Sequence, residues 1–122
     1  MKTFLSSVAM LALTIGPVLA DYPFEGEWAY DCEMAAGDLV PTVIADGQVL
    51  YYESECSIDD VAAIGSGDQA WNLKMTCAGE GEVWTRSVLF AVERGNQGEP
   101  LQLIEVDLEA GYVLARDRCD RD

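Results

Sequence analysis

The 122-residue chain contains no histidine, and its 7 lysines and arginines stand against 22 aspartates and glutamates. Without imidazole it lacks both the commonest metal ligand and the side chain that most readily moves protons near neutral pH. The four cysteines, at 32, 56, 77 and 119, show none of the close spacings of a zinc site. No metal or cofactor is expected. A formal charge of −15 repels nucleic acid and anionic membrane surfaces and steers cationic partners inward. Internal repeats, low-complexity tracts and linkers are missing too, and no apolar run beyond residue 20 is long enough to span a bilayer.

The chain does have a leader pattern. Lys2 gives a positive start, residues 4–19 are apolar, and Val18-Leu19-Ala20 forms a small-residue cleavage site. Residues 1–20 are expected to be a cleaved signal peptide, which makes the protein periplasmic or secreted and leaves residues 21–122 as one small domain. No cysteine follows the cleavage site, which argues against a bacterial lipid anchor. Residues 1–20 carry Lys2 and no acid, so their removal takes the formal charge from −15 to −16. A core of this size is marginal without staples. Four cysteines in a secreted domain read as two disulfides, with three connectivities to choose from.

Strand periodicity chooses among them. In residues 71–77, Trp71, Leu73, Met75 and Cys77 alternate with Asn72, Lys74 and Thr76, one buried face against one wet one. Folding back through Gly65-Ser66-Gly67-Asp68 sets Cys56 opposite Cys77, Ile58 opposite Met75, Asp60 opposite Leu73 and Ala62 opposite Trp71. A second turn at Gly79-Glu80 sets Met75 against Trp84, Leu73 against Arg86 and Trp71 against Val88. Both turns give the same inside. Cys56 and Cys77 then lie about 4.5 to 5.5 Å apart at Cα, within bonding range, and Cys32 with Cys119 remains as an end-to-end tie. Asp46-Gly47 is a strong hairpin signal pairing Ile44 with Val49 and Thr42 with Tyr51. A turn at Ser54-Glu55 is expected to bring Tyr51 beside Ile58 and Glu53 beside Cys56. Further strands are expected over 24–30, 101–106 and 112–119, with loops at 32–39 and 94–100. The whole reads as an all-β domain, an antiparallel up-and-down barrel or barrel-like sandwich of about eight strands. One tension stands: strict alternation places Cys32 and Cys119 at opposite ends unless a strand is miscounted or the 32–39 loop returns along the barrel.

Gly26-x-Trp28 on the first strand resembles the opening of calycin-type barrels: lipocalins, avidins and small bacterial protease inhibitors. That resemblance implies a Trp closing the barrel base under an Arg of the last strand, for which Arg116 and Arg118 are the candidates. The fuller pattern joins Gly26-x-Trp28, Cys32, Tyr52-Glu53-Ser54-x-Cys56, Cys77-x-Gly79-Glu80-Gly81-Glu82-x-Trp84 and Arg118-Cys119. It is similar to that of short secreted bacterial proteins of uncharacterised function, which implies a secreted all-β domain and no particular activity. Ser66-Gly67-Asp68-Gln69 resembles the Ser-Gly loop of disulfide-tied lysozyme inhibitors, whose aromatic three residues after the Gly is here Ala70, with Trp71 following.

The register places two charges inside, Asp60 and Arg86, at the level of Leu73. They are expected to form an internal ion pair, unless a bulge at Asp59-Asp60 turns Asp60 to water. Glu53, Glu55, Glu80 and Glu82 gather in the turns beside Cys56 and Cys77 as an acidic rim for a partner. Two carboxylates at an open mouth are the raw material of a glycosidase, but no cleft or further catalytic group accompanies them, and no enzyme is expected. The expected function is non-catalytic binding, with a cationic envelope hydrolase, a lysozyme or protease, as the inhibited partner. A small-ligand carrier and a structural envelope protein are the alternatives.

Overall fold

The computed structural model describes residues 22–35 and 40–119. The leader expected at 1–20 lies outside them, as does residue 21 and half of the 32–39 loop. The elements, in chain order, are β1 (Gly26–Ala29), a single helical turn α1 (Cys32–Ala35), β2 (Thr42–Ala45), β3 (Gln48–Tyr51), β4 (Ser54–Ala63), β5 (Ala70–Gly79), β6 (Glu82–Arg94), β7 (Pro100–Asp107) and β8 (Val113–Arg118). Each strand pairs antiparallel with the next, and β8 returns to β1, closing an eight-stranded barrel. The inner face carries Trp71, Leu73, Met75 and Cys77 of β5, each buried, as the alternation in that strand requires.

The barrel has two unlike ends. At its base are the turns 46–47, 64–69 and 95–99; at its mouth are the β1–β2 connection and the turns 52–53, 80–81 and 108–111. The base is plugged with aromatic side chains. Tyr22 stacks on Phe24 at 4.9 Å, and Phe24 meets Trp71 and Phe90 edge-on at 5.1 and 5.4 Å. Phe24, Trp28 and Phe90 are fully buried together with Ile44, Val49, Leu73, Val88 and Leu103. A filled interior is what small eight-stranded barrels favour.

Both disulfides form as expected. Cys56–Cys77 lies inside the barrel with Cα atoms 3.9 Å apart, and Cys32–Cys119 has a Cα separation of 5.4 Å. The tension over the second bond resolves in the short first strand. β1 ends at Ala29, opposite Asp117, and the helical turn α1 folds back so that Cys32 lies against the Asp117 carbonyl. The connection itself carries Cys32 to Cys119, with no strand miscounted.

Three registers differ from expectation. The β5–β6 turn is Glu80-Gly81, both at positive φ (52° and 82°), so Cys77 faces Trp84, Met75 faces Arg86 and Trp71 faces Phe90. The slip is two residues, which preserves the inward face. The β3–β4 turn is Tyr52-Glu53, pairing Tyr51 with Ser54 and Val49 with Cys56. Finally, β4 carries a bulge between Ile58 and Asp60, after which Asp60 faces Lys74, Val61 faces Leu73 and Ala63 faces Trp71. Burying an unpaired carboxylate is costly; the extra residue turns Asp60 to solvent and returns Val61 to the inner side.

Candidate functional site

The Asp60–Arg86 pair does not form, and the alternative holds: a bulge at Asp59-Asp60 turns Asp60 to water. Asp60 is exposed on the outer face, whereas Arg86 points inward and is met by carboxylates of β7. Its Nη2 donates to Glu105 Oε2 at 2.8 Å, to Asp107 Oδ2 at 2.9 Å and to the Tyr112 hydroxyl at 2.9 Å. Arg116 of β8 donates to Glu105 Oε1 at 2.7 Å, and the Tyr51 hydroxyl donates to Glu105 Oε2 at 3.2 Å. The Tyr51 ring lies within cation–π distance of both guanidinium groups, 5.1 Å from Arg86 and 5.8 Å from Arg116. Glu105 is 1% exposed, a burial tolerable only because donors on three strands satisfy it.

Two cations and two anions make this layer electrically balanced. Burial pushes the Tyr51 phenol well above its ordinary pKa, and the Glu105 carboxylate adds to that shift. The Asp107 carboxyl is held below its ordinary value, first by the backbone N–H of Ala110 and also by Arg86 and the N–H of Glu109. Both oxygens of each carboxylate are engaged by donors, and the layer lies between the apolar base and the mouth.

Two arginines of β8 were candidates for the base, and the structure separates them. Arg118 lies over Trp28 at 5.1 Å, while Arg116 belongs to the Glu105 layer. Trp28 Nε1 donates to the Phe24 carbonyl at 2.9 Å, so the indole is anchored on its polar edge as well. Gly26 makes the approach of Arg118 possible: a Cβ there would fall 2.8 Å from the guanidinium carbon, and its φ is +143°.

Glu53, Glu55, Glu80 and Glu82 are all exposed and all at the mouth. Glu53 and Glu55 border a shallow hollow of about 370 Å³ with Tyr51 and Gly79. The Ser66-Gly67-Asp68-Gln69 loop is exposed at the opposite end, so it shares no surface with the rim. A smaller cleft of about 240 Å³ opens beside Trp28, Tyr30, Thr42, Tyr52 and Arg116. Sequence reasoning missed Glu105 and Asp107. The available signal was positional: an inward Arg86 on β6 calls for a carboxylate on the next strand, and only Glu105 and Asp107 share the inner face of β7 with Leu103.

No family model matches the chain, and neither a curated protein nor a solved structure matches it. The two disulfides point to an oxidising, extracytoplasmic setting. Among the described residues, no helix is long and apolar enough to cross a membrane.

Proposed function

We propose that this is a non-catalytic binding domain, periplasmic or secreted, that engages a cationic protein at the mouth of its barrel, with hydrolases attacking the cell envelope as the partner class. One observation carries this reading: the exposed large hydrophobic side chains gather at one end. Among the described residues, Ile64 alone of that set lies at the base, while Tyr30, Tyr52, Val83, Trp84, Leu108 and Tyr112 lie at the mouth. Solvated surfaces scatter such residues singly, and a concentration of them rimmed by charge marks an interaction face. Here the rim is Glu53, Glu55, Glu80, Glu82 and Glu109, all exposed, which selects a cationic partner.

A macromolecule suits the mouth better than a small ligand does. The aromatic-walled cleft of about 240 Å³ is below the about 300 to 1,000 Å³ usual for small-molecule sites, and the hollow of about 370 Å³ beside Glu53 and Glu55 has the volume but is shallow and open to solvent. Titrating the purified domain against cationic lysozymes and secreted proteases at increasing salt tests the proposal. Binding with an on-rate that falls as salt rises, accompanied by loss of hydrolase activity, is the expected result. Unchanged activity and no salt-sensitive binding across the panel would overturn it.

A further inference from the structure

β6 is longer than the strand beside it. Its 13 residues run from Glu82 to Arg94, but its pairing with the 8-residue β7 begins only at Val88 opposite Asp107. On the other side β6 is paired with β5 along the whole stretch, from Glu82 opposite Gly79 to Arg86 opposite Met75. Residues 82–86 therefore overhang the mouth as an open strand edge, unpaired on the β7 side among the described residues.

The direction of the free backbone groups follows from one bond. Leu108 N–H donates to the Ser87 carbonyl at 2.9 Å, so Ser87 faces the β7 side. Backbone groups alternate in an antiparallel ladder, so Val83 and Thr85 also turn their N–H and C=O to the open edge, while Trp84 and Arg86 are bonded to β5. No Pro, no Lys and no bulge lies in Glu82-Val83-Trp84-Thr85-Arg86, and of its two charges Arg86 is engaged by Glu105 and Asp107, which leaves Glu82 as the edge's exposed charge. Val83 is 72% exposed and Trp84 37%.

We infer that this edge is a strand-addition site for an extended segment of a cationic protein, which would continue the line of β7 beyond the β7–β8 turn. The inference rests on the reading of the mouth as the binding face. Main-chain bonds to Val83 and Thr85 supply register, and alternate side chains supply selectivity. One face of the incoming strand lies beside Glu82 and Trp84, which suits lysine or arginine by ion pairing and cation–π contact. The other lies beside Val83 and Thr85, which suits β-branched residues. A second copy of this chain is disfavoured by the charge of −15 on each molecule.

Amide hydrogen exchange by NMR, with a blocked pentapeptide alternating lysine and valine as probe, tests the assignment. In the free domain the Val83 and Thr85 amides should exchange fast and those of Trp84 and Arg86 slowly; saturating peptide should slow the first pair by about tenfold or more. Val83→Pro removes an outward N–H and leaves the β5 ladder intact, so it should abolish that protection without lowering the unfolding midpoint appreciably. Peptide binding that leaves both amides unprotected would overturn the inference, as would absence of peptide binding. Protection that grows with protein concentration alone would assign the edge to self-association and overturn it as well. Hydrolase binding that survives Val83→Pro unchanged would refute strand addition while leaving the mouth as the binding face.

Discussion

Gly26 and Trp28 show how much one position governs. The Arg118 guanidinium occupies the space of a Gly26 side chain, so Gly26→Ala must displace it and also hold an L-residue at φ +143°. The expected loss is about 1 to 3 kcal/mol, read by denaturant unfolding. Trp28→Ala should cost about 3 to 5 kcal/mol, as for other buried aromatics; indifference to that change would mean the Trp28–Arg118 stack is not structural. Asp107 adds a pH dependence of known sign. Its pKa is depressed in the folded state, so its contribution is complete above the unfolded value of about 3.9 and is lost as pH falls through the lower folded value. Asp107→Asn should lower stability at neutral pH and flatten the acid limb of the unfolding curve.

At the scale of elements, the ion layer joins β6, β7 and β8 to β3 through Tyr51. A double-mutant cycle on Arg86 and Glu105 should show coupling of about 0.5 to 3 kcal/mol, whereas Arg86 with Asp60 should be additive to within about 0.5 kcal/mol. Coupling in the second cycle would place Asp60 inside and contradict the bulge. Glu105→Ala leaves two arginines facing the interior without their shared acceptor, a loss of about 3 to 5 kcal/mol. How legible each strand was follows from its chemistry. β5 has an apolar inner set and a polar outer set, so Trp71, Leu73, Met75 and Cys77 could be placed directly, and Cys56–Cys77 followed. β7 reverses the pattern: its inner face ends in Glu105 and Asp107, and its half-buried outer face carries Ile104 and Val106, so hydropathy points the wrong way. The run Gly79-Glu80-Gly81-Glu82 offers two turns one residue apart, whose registers differ by two residues, a difference that a periodicity of two cannot tell apart. The Asp59-Asp60 bulge defeats alternation outright, because it changes the parity of all that follows in β4.

For the whole molecule, the Cys32–Cys119 bond spans a sequence separation of 87. Replacing both cysteines by serine should cost about 4 to 5 kcal/mol on loop-entropy grounds, visible as a lower unfolding midpoint with the Cys56–Cys77 bond intact. Because that bond joins β1's exit to the end of β8, the backbone from 32 to 119 is a covalent ring. A single protease cut at any exposed turn within it opens the ring and releases nothing: the two new ends stay tethered and the barrel strands stay paired. The domain can thus be nicked at its mouth, in the 52–53 or 80–81 turn, and remain one molecule until a reductant or a second cut arrives, a property that would suit the proposed encounter with proteases. Limited proteolysis should show this as one band without reductant and two fragments with it.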